Sequence, residues 1–438
     1  MEILAIVVFL IGYLLIALEH PIKINKTATA LLTGTLCWAI LAMSTTEFQQ
    51  ELIQRGLITS GGELSGFLNA SLSHQLSGIT GILFFLIGAM TIVELIDAHD
   101  GFAFITNNIR TRDTRALLWI VSWISFFLSA VLDNLTTSIV MVSLIRNIIP
   151  YRDTRMFFAG MIIIAANAGG AWSPIGDVTT TMLWIGGQVS SGSIIKNLFL
   201  PSVVCLMVPL LILTFRMKGR IEGFEKPVKT TPGVKSGQTM LLVGIGALIF
   251  VPLFKTLTHL PPFLGILLGL GILWVVSEFI NPDLDESEKK RYSVAGALTR
   301  IDAPSVLFFF GILLAVGALE AIQTLDHFAH ALNHWIGDTR IIISVVGVVS
   351  AIIDNVPLVA ASMGMYPMTD YAPDSLLWHY LAYCAGTGGS LLIIGSAAGV
   401  AVMGMEKIDF LWFLKRISLL ALIGYASGAA VYLLLHGK

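Results

Sequence analysis

The stretch Ala130-Val131-Leu132-Asp133-Asn134-Leu135-Thr136-Thr137-Ser138 places a carboxylate, an amide and three hydroxyl groups in the middle of an apolar run, residues 116–149. A near-copy, Ser350-Ala351-Ile352-Ile353-Asp354-Asn355-Val356-Pro357, lies within a second apolar run, residues 341–365. A charged side chain at the centre of a bilayer costs about 2.5–3.5 kcal/mol. Two stretches that share an Asp-Asn core at such positions therefore predict a functional site inside the membrane.

The composition is that of a membrane protein. Of the 438 residues, 55% are hydrophobic and only 12% are charged, whereas soluble domains contain about 25% charged residues. The long apolar runs, among them 77–97 and 410–435, predict an all-α polytopic membrane protein with the lipid bilayer as its surroundings. The net charge of −2 and the lack of a basic stripe give no sign of nucleic-acid binding. Three scattered cysteines fit neither a disulfide framework nor a zinc site.

The two halves of the chain match element for element, which predicts an internal repeat. Each half has an Asp-Asn run followed by an apolar run that glycines interrupt; Gly169-Gly170 and Gly176 recur as Gly388-Gly389 and Gly395 at the same spacing. The predicted boundaries are 1–216 for the first repeat, 217–237 for a polar linker, 238–438 for the second repeat, 116–149 and 341–365 for the Asp-Asn runs, and 156–186 and 376–404 for the broken helices.

Each Asp-Asn run is either a pair of full spans or a re-entrant hairpin. Basic residues flank both ends of the first run, at Arg112 and Arg115 and again at Arg152 and Arg155. Either form therefore returns the chain to the side on which it entered. Each half then crosses the membrane an odd number of times, so the second repeat is inverted relative to the first.

The distribution of Lys and Arg predicts the orientation. With the N-terminus outside, 21 of the 26 basic residues fall on the cytoplasmic side and five fall outside, as the positive-inside rule requires. This threading places both termini outside and the linker 217–237 in the cytoplasm.

Four breaks in apolar runs coincide with polar clusters. The members are Asp133, Asn134, Thr136 and Thr137; Asp354, Asn355 and Pro357; Asn167, Asp177, Thr179 and Thr180; and Thr387, Ser390 and Ser396. Carboxylate, amide and hydroxyl oxygens suit a small hard cation. None of the four motifs contains the Lys or Arg that would hold an anionic substrate.

Three of these residues, Asp133, Asp177 and Asp354, carry the predicted chemistry. Leaving all three ionised and unpaired in the membrane would cost roughly 8–10 kcal/mol. Each must therefore hold a proton or adjoin a cation, and the two compete for the same oxygens. This pattern predicts cation:proton exchange without a cofactor. N-capping of the second half-helix, after Pro174 and Gly176, is the alternative account of Asp177.

The motifs around Asp133, Asn167–Thr180 and Asp354 resemble those of NhaD-type sodium/proton antiporters, members of the ion transporter superfamily. The resemblance covers essentially the whole chain. It implies that the Asp-Asn runs are re-entrant hairpins in two inverted repeats. It also implies a homodimer in the inner membrane of a bacterium, elevator-like movement of the hairpins and broken helices, and export of Na⁺ (or Li⁺) for protons in pH homeostasis.

The resemblance also extends to the ion-binding residues. Dicarboxylate carriers of the superfamily bind sodium with Ser-Asn-Thr motifs at their hairpin tips, and Asp133-Asn134-Leu135-Thr136 and Asp354-Asn355-Val356-Pro357 look like their counterparts. An Asp in place of that Ser supplies a titratable charge, which fits exchange with protons. Pro357 replaces a hydroxyl and Ser396 stands opposite Asp177, so the second repeat resembles the poorer cation site.

Two other functions are compatible with part of this sequence pattern. A citrate, dicarboxylate or arsenite permease of the same superfamily would share the layout but should need cationic groups at its site. An intramembrane aspartyl protease would need two acids within hydrogen-bond distance that share a proton. The third acid and the repeat do not support a protease, so no enzymatic activity is predicted.

Overall fold

The computed structural model describes residues 2–43, 46–60, 63–104, 109, 111–217, 219–221, 234–280 and 292–437. Helices account for the regular structure of these ranges, apart from one isolated bridge between Asp113 and Arg220. The predicted linker 217–237 lies outside the described residues except at its ends. The helices are, in chain order, α1 (Glu2–Ala17), α2 (Glu19–Ile22), α3 (Lys26–Ala42), α4 (Thr46–Gln54), α5 (Leu64–Ala98), α6 (Thr114–Leu132), α7 (Asn134–Ile148), α8 (Arg152–Ala171), α9 (Val178–Ile185), α10 (Ser191–Arg216), α11 (Val234–Thr258), α12 (Pro262–Ile280), α13 (Val294–Leu298), α14 (Ala303–Ala321), α15 (Thr324–Ile336), α16 (Thr339–Val349), α17 (Asn355–Met365), α18 (Leu376–Gly388), α19 (Ala397–Glu406), α20 (Phe410–Arg416) and α21 (Ser418–His436).

Eight helices within the described residues are long and apolar enough to cross a membrane. They are α5, α6, α8, α10, α11, α12, α14 and α21. Shorter apolar helices, including α1, α3, α7 and α17, accompany them. The prediction of an all-α polytopic membrane protein is therefore confirmed.

Several predicted apolar runs are divided into two helices. Run 116–149 forms α6 and α7, which meet at Asp133, and run 341–365 forms α16 and α17, with Asp354 directly before α17. Runs 156–186 and 376–404 form α8 with α9 and α18 with α19. Whether the first two runs re-enter the membrane and whether the halves are inverted stay predictions.

Two predicted spans differ from the helices in the structure. The run 77–97 is only the second part of α5, which begins at Leu64. Residues before position 77 contain helix-forming Leu, Ala and Gln and no proline, so nothing ends the helix there. The run 410–435 is divided at Ile417 into α20 and α21.

The described helices form two compact units, and neither follows one half of the sequence. The first unit comprises Met1–Phe84, Asp302–Ile342 and Val356–Ala372. Glycines bring α3 and α14 into backbone contact: a Cβ atom on Gly34 would lie 2.5 Å from the Gly311 carbonyl oxygen. Trp38 adds a hydrogen bond from its indole to the carbonyl of Leu314, at 2.9 Å. Small residues at such crossings are a usual means of helix packing in membranes.

The second unit comprises Phe85–Ile301, Ile343–Asn355 and Pro373–Lys438. The same serine contact occurs twice in it. Ser129 Oγ donates to the carbonyl of Ala166 at 2.6 Å, and Ser350 Oγ donates to the carbonyl of Ala385 at 3.3 Å. Each serine thereby ties the first part of an Asp-Asn run to the first half of the broken helix that follows it, which places the polar clusters of this unit close together.

Candidate cation site

The first break lies at Asp133, which ends α6 and caps the N-terminus of α7. Its backbone φ is +97°, a conformation that residues other than glycine rarely adopt. The two carboxylate oxygens accept hydrogen bonds from the backbone N–H of Thr136 at 2.7 Å and from its hydroxyl at 3.0 Å. Such strained backbone persists where its surroundings fix it, and it is concentrated at functional sites.

The second break lies at Asp177, between α8 and α9. Asp177 Oδ1 accepts a hydrogen bond from the N–H of Thr179 at 3.0 Å and so caps α9. Its other oxygen, Oδ2, accepts a hydrogen bond from Asn134 Nδ2 at 3.0 Å. The capping role and a role at a polar centre are therefore compatible, because each uses a different carboxylate oxygen.

A chain of side-chain hydrogen bonds joins the two breaks to the second broken helix. Asn134 Nδ2 also donates to Asn167 Oδ1 at 2.9 Å, and Asn167 Nδ2 donates to Ser396 Oγ at 3.2 Å. Asn134, Asn167, Asp177 and Ser396 are all buried. We call these four residues the polar centre. They come from α7, α8 and the starts of α9 and α19, which are far apart in sequence.

Two further acidic groups, Asp133 and Asp354, lie near the carboxylate of Asp177. Asp177 is only 2% exposed, and the charges of Asp133 and Asp354 lie near enough to repel the charge on its carboxylate. Asp133 and Asp354 are partly buried. Repulsion and loss of water both disfavour three ionised carboxylates, so the arrangement favours occupation by protons or by a cation.

Other predicted site residues have hydrogen bonds within their own helices or turns. Thr387 Oγ1 donates to the carbonyl of Tyr383 at 2.6 Å, and Ser390 Oγ donates to the carbonyl of Thr387 at 2.6 Å. Thr180 Oγ1 donates to the carbonyl of Asp177 at 2.9 Å. These hydroxyl groups stabilise the helix ends around the breaks, and the structure does not place them in the hydrogen-bond chain of the polar centre.

Asn355, at the start of α17, is also buried. Its side-chain nitrogen has no hydrogen-bond partner among the described residues, and neither has the hydroxyl of Thr137 in α7. Buried polar groups without partners are uncommon in proteins. Thr137 belongs to the first Asp-Asn motif and Asn355 belongs to the second.

Glycines allow the breaks to close tightly on themselves. A Cβ atom on Gly170 would lie 2.5 Å from the carbonyl oxygen of Gly176, and one on Gly389 would lie 2.9 Å from that of Gly395. The same internal contact thus recurs in both broken helices. Any side chain at these four positions would push the break apart and displace Asp177 or Ser396, which directly follow Gly176 and Gly395.

Sequence reasoning missed a buried acid at the end of α19. The Glu406 side chain is 1% exposed and forms ion pairs with Arg146 Nε at 2.7 Å and Arg155 Nε at 3.1 Å. Arg146 also donates to the carbonyl of Met405. In the sequence, Glu406 is recognisable only as an acid at the end of an otherwise apolar run. Its partners Arg155 and Arg146 lie 251 and 260 residues away along the chain, so the ion pairs could not be predicted.

Comparison with known proteins places the chain in a transporter family. The profile of the citrate transporter family (CitMHS) matches residues 13–381. The chain belongs to this family. It is also 45% identical, over 98% of both chains, to Sodium/proton antiporter 2 of Arabidopsis thaliana. It is 48% identical to Sodium/proton antiporter 1 of the same plant, over 98% of this chain and 71% of that protein.

A bacterial relative shows the resemblance to the NhaD type. The chain is 31% identical to the Na(+)/H(+) antiporter NhaD of Vibrio cholerae, over 99% of this chain and 91% of that protein. The similarity of the whole chain to NhaD proteins that the motifs predicted is therefore confirmed. The relatives and the apolar helices together establish a multi-pass membrane protein of a transporter family.

Proposed function

We propose that this protein exchanges cytoplasmic Na⁺ or Li⁺ for external protons by alternating access at the polar centre. The observation that supports this most directly is the buried Asp177 carboxylate, which is hydrogen-bonded to Asn134 and influenced by the charges of two further aspartates. In the described part of the chain, the hydrogen bonds of Asp133, Asp177 and the other residues of the polar centre include none to Lys or Arg.

The family description raises citrate as the competing substrate. Citrate is an anion, and the carboxylates of Asp133 and Asp177, whose hydrogen bonds given above include no basic side chain, would repel it. A cation, in contrast, would be attracted by the same groups. The three relatives described above are all named sodium/proton antiporters. The charge of the site and these names both favour the cation.

The proposed mechanism depends on competition for Asp133, Asp177 and Asp354. The amide of Asn134, whose Nδ2 donates both to Asp177 Oδ2 and to Asn167 Oδ1, fixes the orientation of the Asp177 carboxylate. The remaining carboxylate and amide oxygens would bind the cation. When the cation leaves, protons neutralise the carboxylates, since a buried carboxylate without a partner is costly. Either a cation or protons thus neutralise the site as it changes its access.

We also propose the cellular setting that the resemblance implies. The protein would work as a homodimer in the inner membrane of a bacterium, with both termini outside and the linker 217–237 in the cytoplasm. The hairpins and broken helices would move in an elevator-like manner. The distribution of the 26 basic residues supports this orientation.

Exchange should show direct competition between sodium and protons. In everted membrane vesicles from a host without antiporters of its own, NaCl and LiCl should dissipate a respiration-driven pH gradient, and citrate or KCl should not. Because protons occupy the same oxygens, the apparent KM for Na⁺ should fall as the pH rises from about 6.5 to 9.5, by up to ten-fold per pH unit if one proton is displaced.

The same vesicle assay can also give a result that contradicts the proposed function. Vesicles that contain the correctly inserted protein and respond to none of the cations at any pH in this range would exclude the antiporter. If sodium-dependent citrate uptake occurred in those vesicles, the citrate permease would take its place.

A further inference from the structure

The two broken helices face each other through positions that are equivalent in the repeat. Asn167 precedes the capping residue Asp177 by ten positions, and Gly386 precedes the capping residue Ser396 by the same ten. In the structure, Asn167 bonds to Ser396 of the other broken helix. Reciprocally, a Cβ atom on Gly386 would lie 3.7 Å from Asp177 Oδ2. Each residue thus faces the cap of the opposite repeat.

The chemical groups around the two capping residues, Ser396 and Asp177, are different. On one side, Ser396 Oγ accepts hydrogen bonds from Asn167 Nδ2 at 3.2 Å and from the N–H of Gly399 at 3.2 Å. An amide and a backbone group therefore surround this hydroxyl, and no carboxylate caps the helix. On the other side, the Asp177 carboxylate caps α9. Gly386, the residue that faces it, has no side chain.

The oxygens of Asp177 have capacity for a further ligand on the side of Gly386. A carboxylate offers about four lone-pair positions. The hydrogen bonds from Thr179 and Asn134 use one position on each oxygen. A Cβ atom on residue 386, in α18, would lie 3.7 Å from Oδ2, so the size of this residue sets how much volume lies beside this oxygen.

Packing explains the other glycines of the breaks but not this one. A Cβ atom on Gly170 or Gly395 would collide with backbone at 2.5 and 2.6 Å, whereas the nearest atom to a Cβ on Gly386 would be the Ala171 side chain at 3.2 Å. An alanine there requires a shift of a few tenths of an ångström. Steric packing therefore requires glycine at position 386 less strictly than at positions 170 and 395.

We propose that Gly386 determines the size of the cation that binds at Asp177, and so the selectivity among alkali cations. This proposal rests on the proposed function. A methyl group on residue 386 would occupy the volume beside Oδ2 that a bound cation and its remaining water require. Lithium is smaller than sodium, so the added methyl group should weaken sodium binding more than lithium binding.

The test compares wild type, Gly386→Ala and the control Gly404→Ala in everted vesicles. A Cβ atom on Gly404, in α19, would meet no atom within 4 Å. We expect G386A to raise the KM for Na⁺ about ten-fold, the usual scale for one excess methyl group in a packed site. The KM for Li⁺ should rise less than about three-fold by the same scale. G404A should leave both constants unchanged.

A second variant separates selectivity from misfolding. In Gly386→Ala combined with Ala171→Gly, the side chain 3.2 Å from the new methyl group is removed, while the methyl group stays beside Asp177. This double variant should retain the altered Li⁺:Na⁺ ratio. Equal changes for both cations, or none, in a folded variant would overturn the proposal. A wild type that exchanges no cation would instead overturn the proposed function itself.

Discussion

Asp177→Asn should abolish sodium-dependent proton movement while leaving the protein folded. Asparagine caps helices as well as aspartate does, so the bond to the N–H of Thr179 can be kept. The amide carries no charge and cannot exchange a proton. Removing one partner of a buried pair of opposite charges typically costs about 3–5 kcal/mol, so loss of the carboxylate charge corresponds to about a 100-fold weaker interaction with the cation or more. Vesicle assays of transport and sodium affinity measure the effect.

Asp153→Asn is the matched control for this substitution. Asp153 lies exposed in the first turn of α8, the same helix that leads to the break before Asp177. The change should leave transport within about two-fold of wild type, since exposed charges contribute little. Full activity of Asp177→Asn, at normal expression and normal sodium affinity, would show that Asp177 serves only as a cap.

Glu406→Gln should cause a large loss of stability without touching the polar centre. The carboxylate is buried and pairs with Arg146 and Arg155. Removing one partner of a buried ion pair typically costs about 3–5 kcal/mol. Because the Arg146 side chain is 46% exposed, water screens that pair, and we expect the lower end of this range. The free energy of unfolding and the midpoint of thermal unfolding in detergent should both fall.

Glu278→Gln provides the comparison on an exposed glutamate. Glu278 lies on α12 and accepts a hydrogen bond only from the indole of Trp274, at 3.3 Å, in the described part of the chain. This substitution should change the free energy of unfolding by less than about 0.5 kcal/mol. If Glu406→Gln unfolded at the same midpoint as wild type, the ion pairs of Glu406 would be irrelevant to stability.

The broad fold could be predicted because the bilayer imposes simple rules. Apolar runs of spanning length predicted the membrane helices, and polar residues within them predicted the breaks at Asp133 and Asp177. Asn134, Asn167 and Ser396 were also chosen because each is a polar residue in an apolar run. The structure connects all three to Asp177 by hydrogen bonds.

The details that could not be predicted depend on contacts between distant residues. Thr387 and Ser390 are polar residues in an apolar run, like those of the polar centre, but their hydroxyl groups bond to carbonyls of their own helix end. Membrane helices offer such carbonyls to any hydroxyl, so residue type alone does not separate the two cases. Glu406 and Gly386 acquire their roles only when the helices of both halves come together.

In the proposed exchange, one set of carboxylates within the membrane holds either protons or sodium. The most direct test adds NaCl to the purified protein in a weakly buffered detergent solution and measures the pH, with choline chloride as the salt control. We predict that sodium binding releases protons from wild type and none from Asp177→Asn. Sodium binding to wild type without any proton release would contradict the account, because the two ions would then occupy different sites.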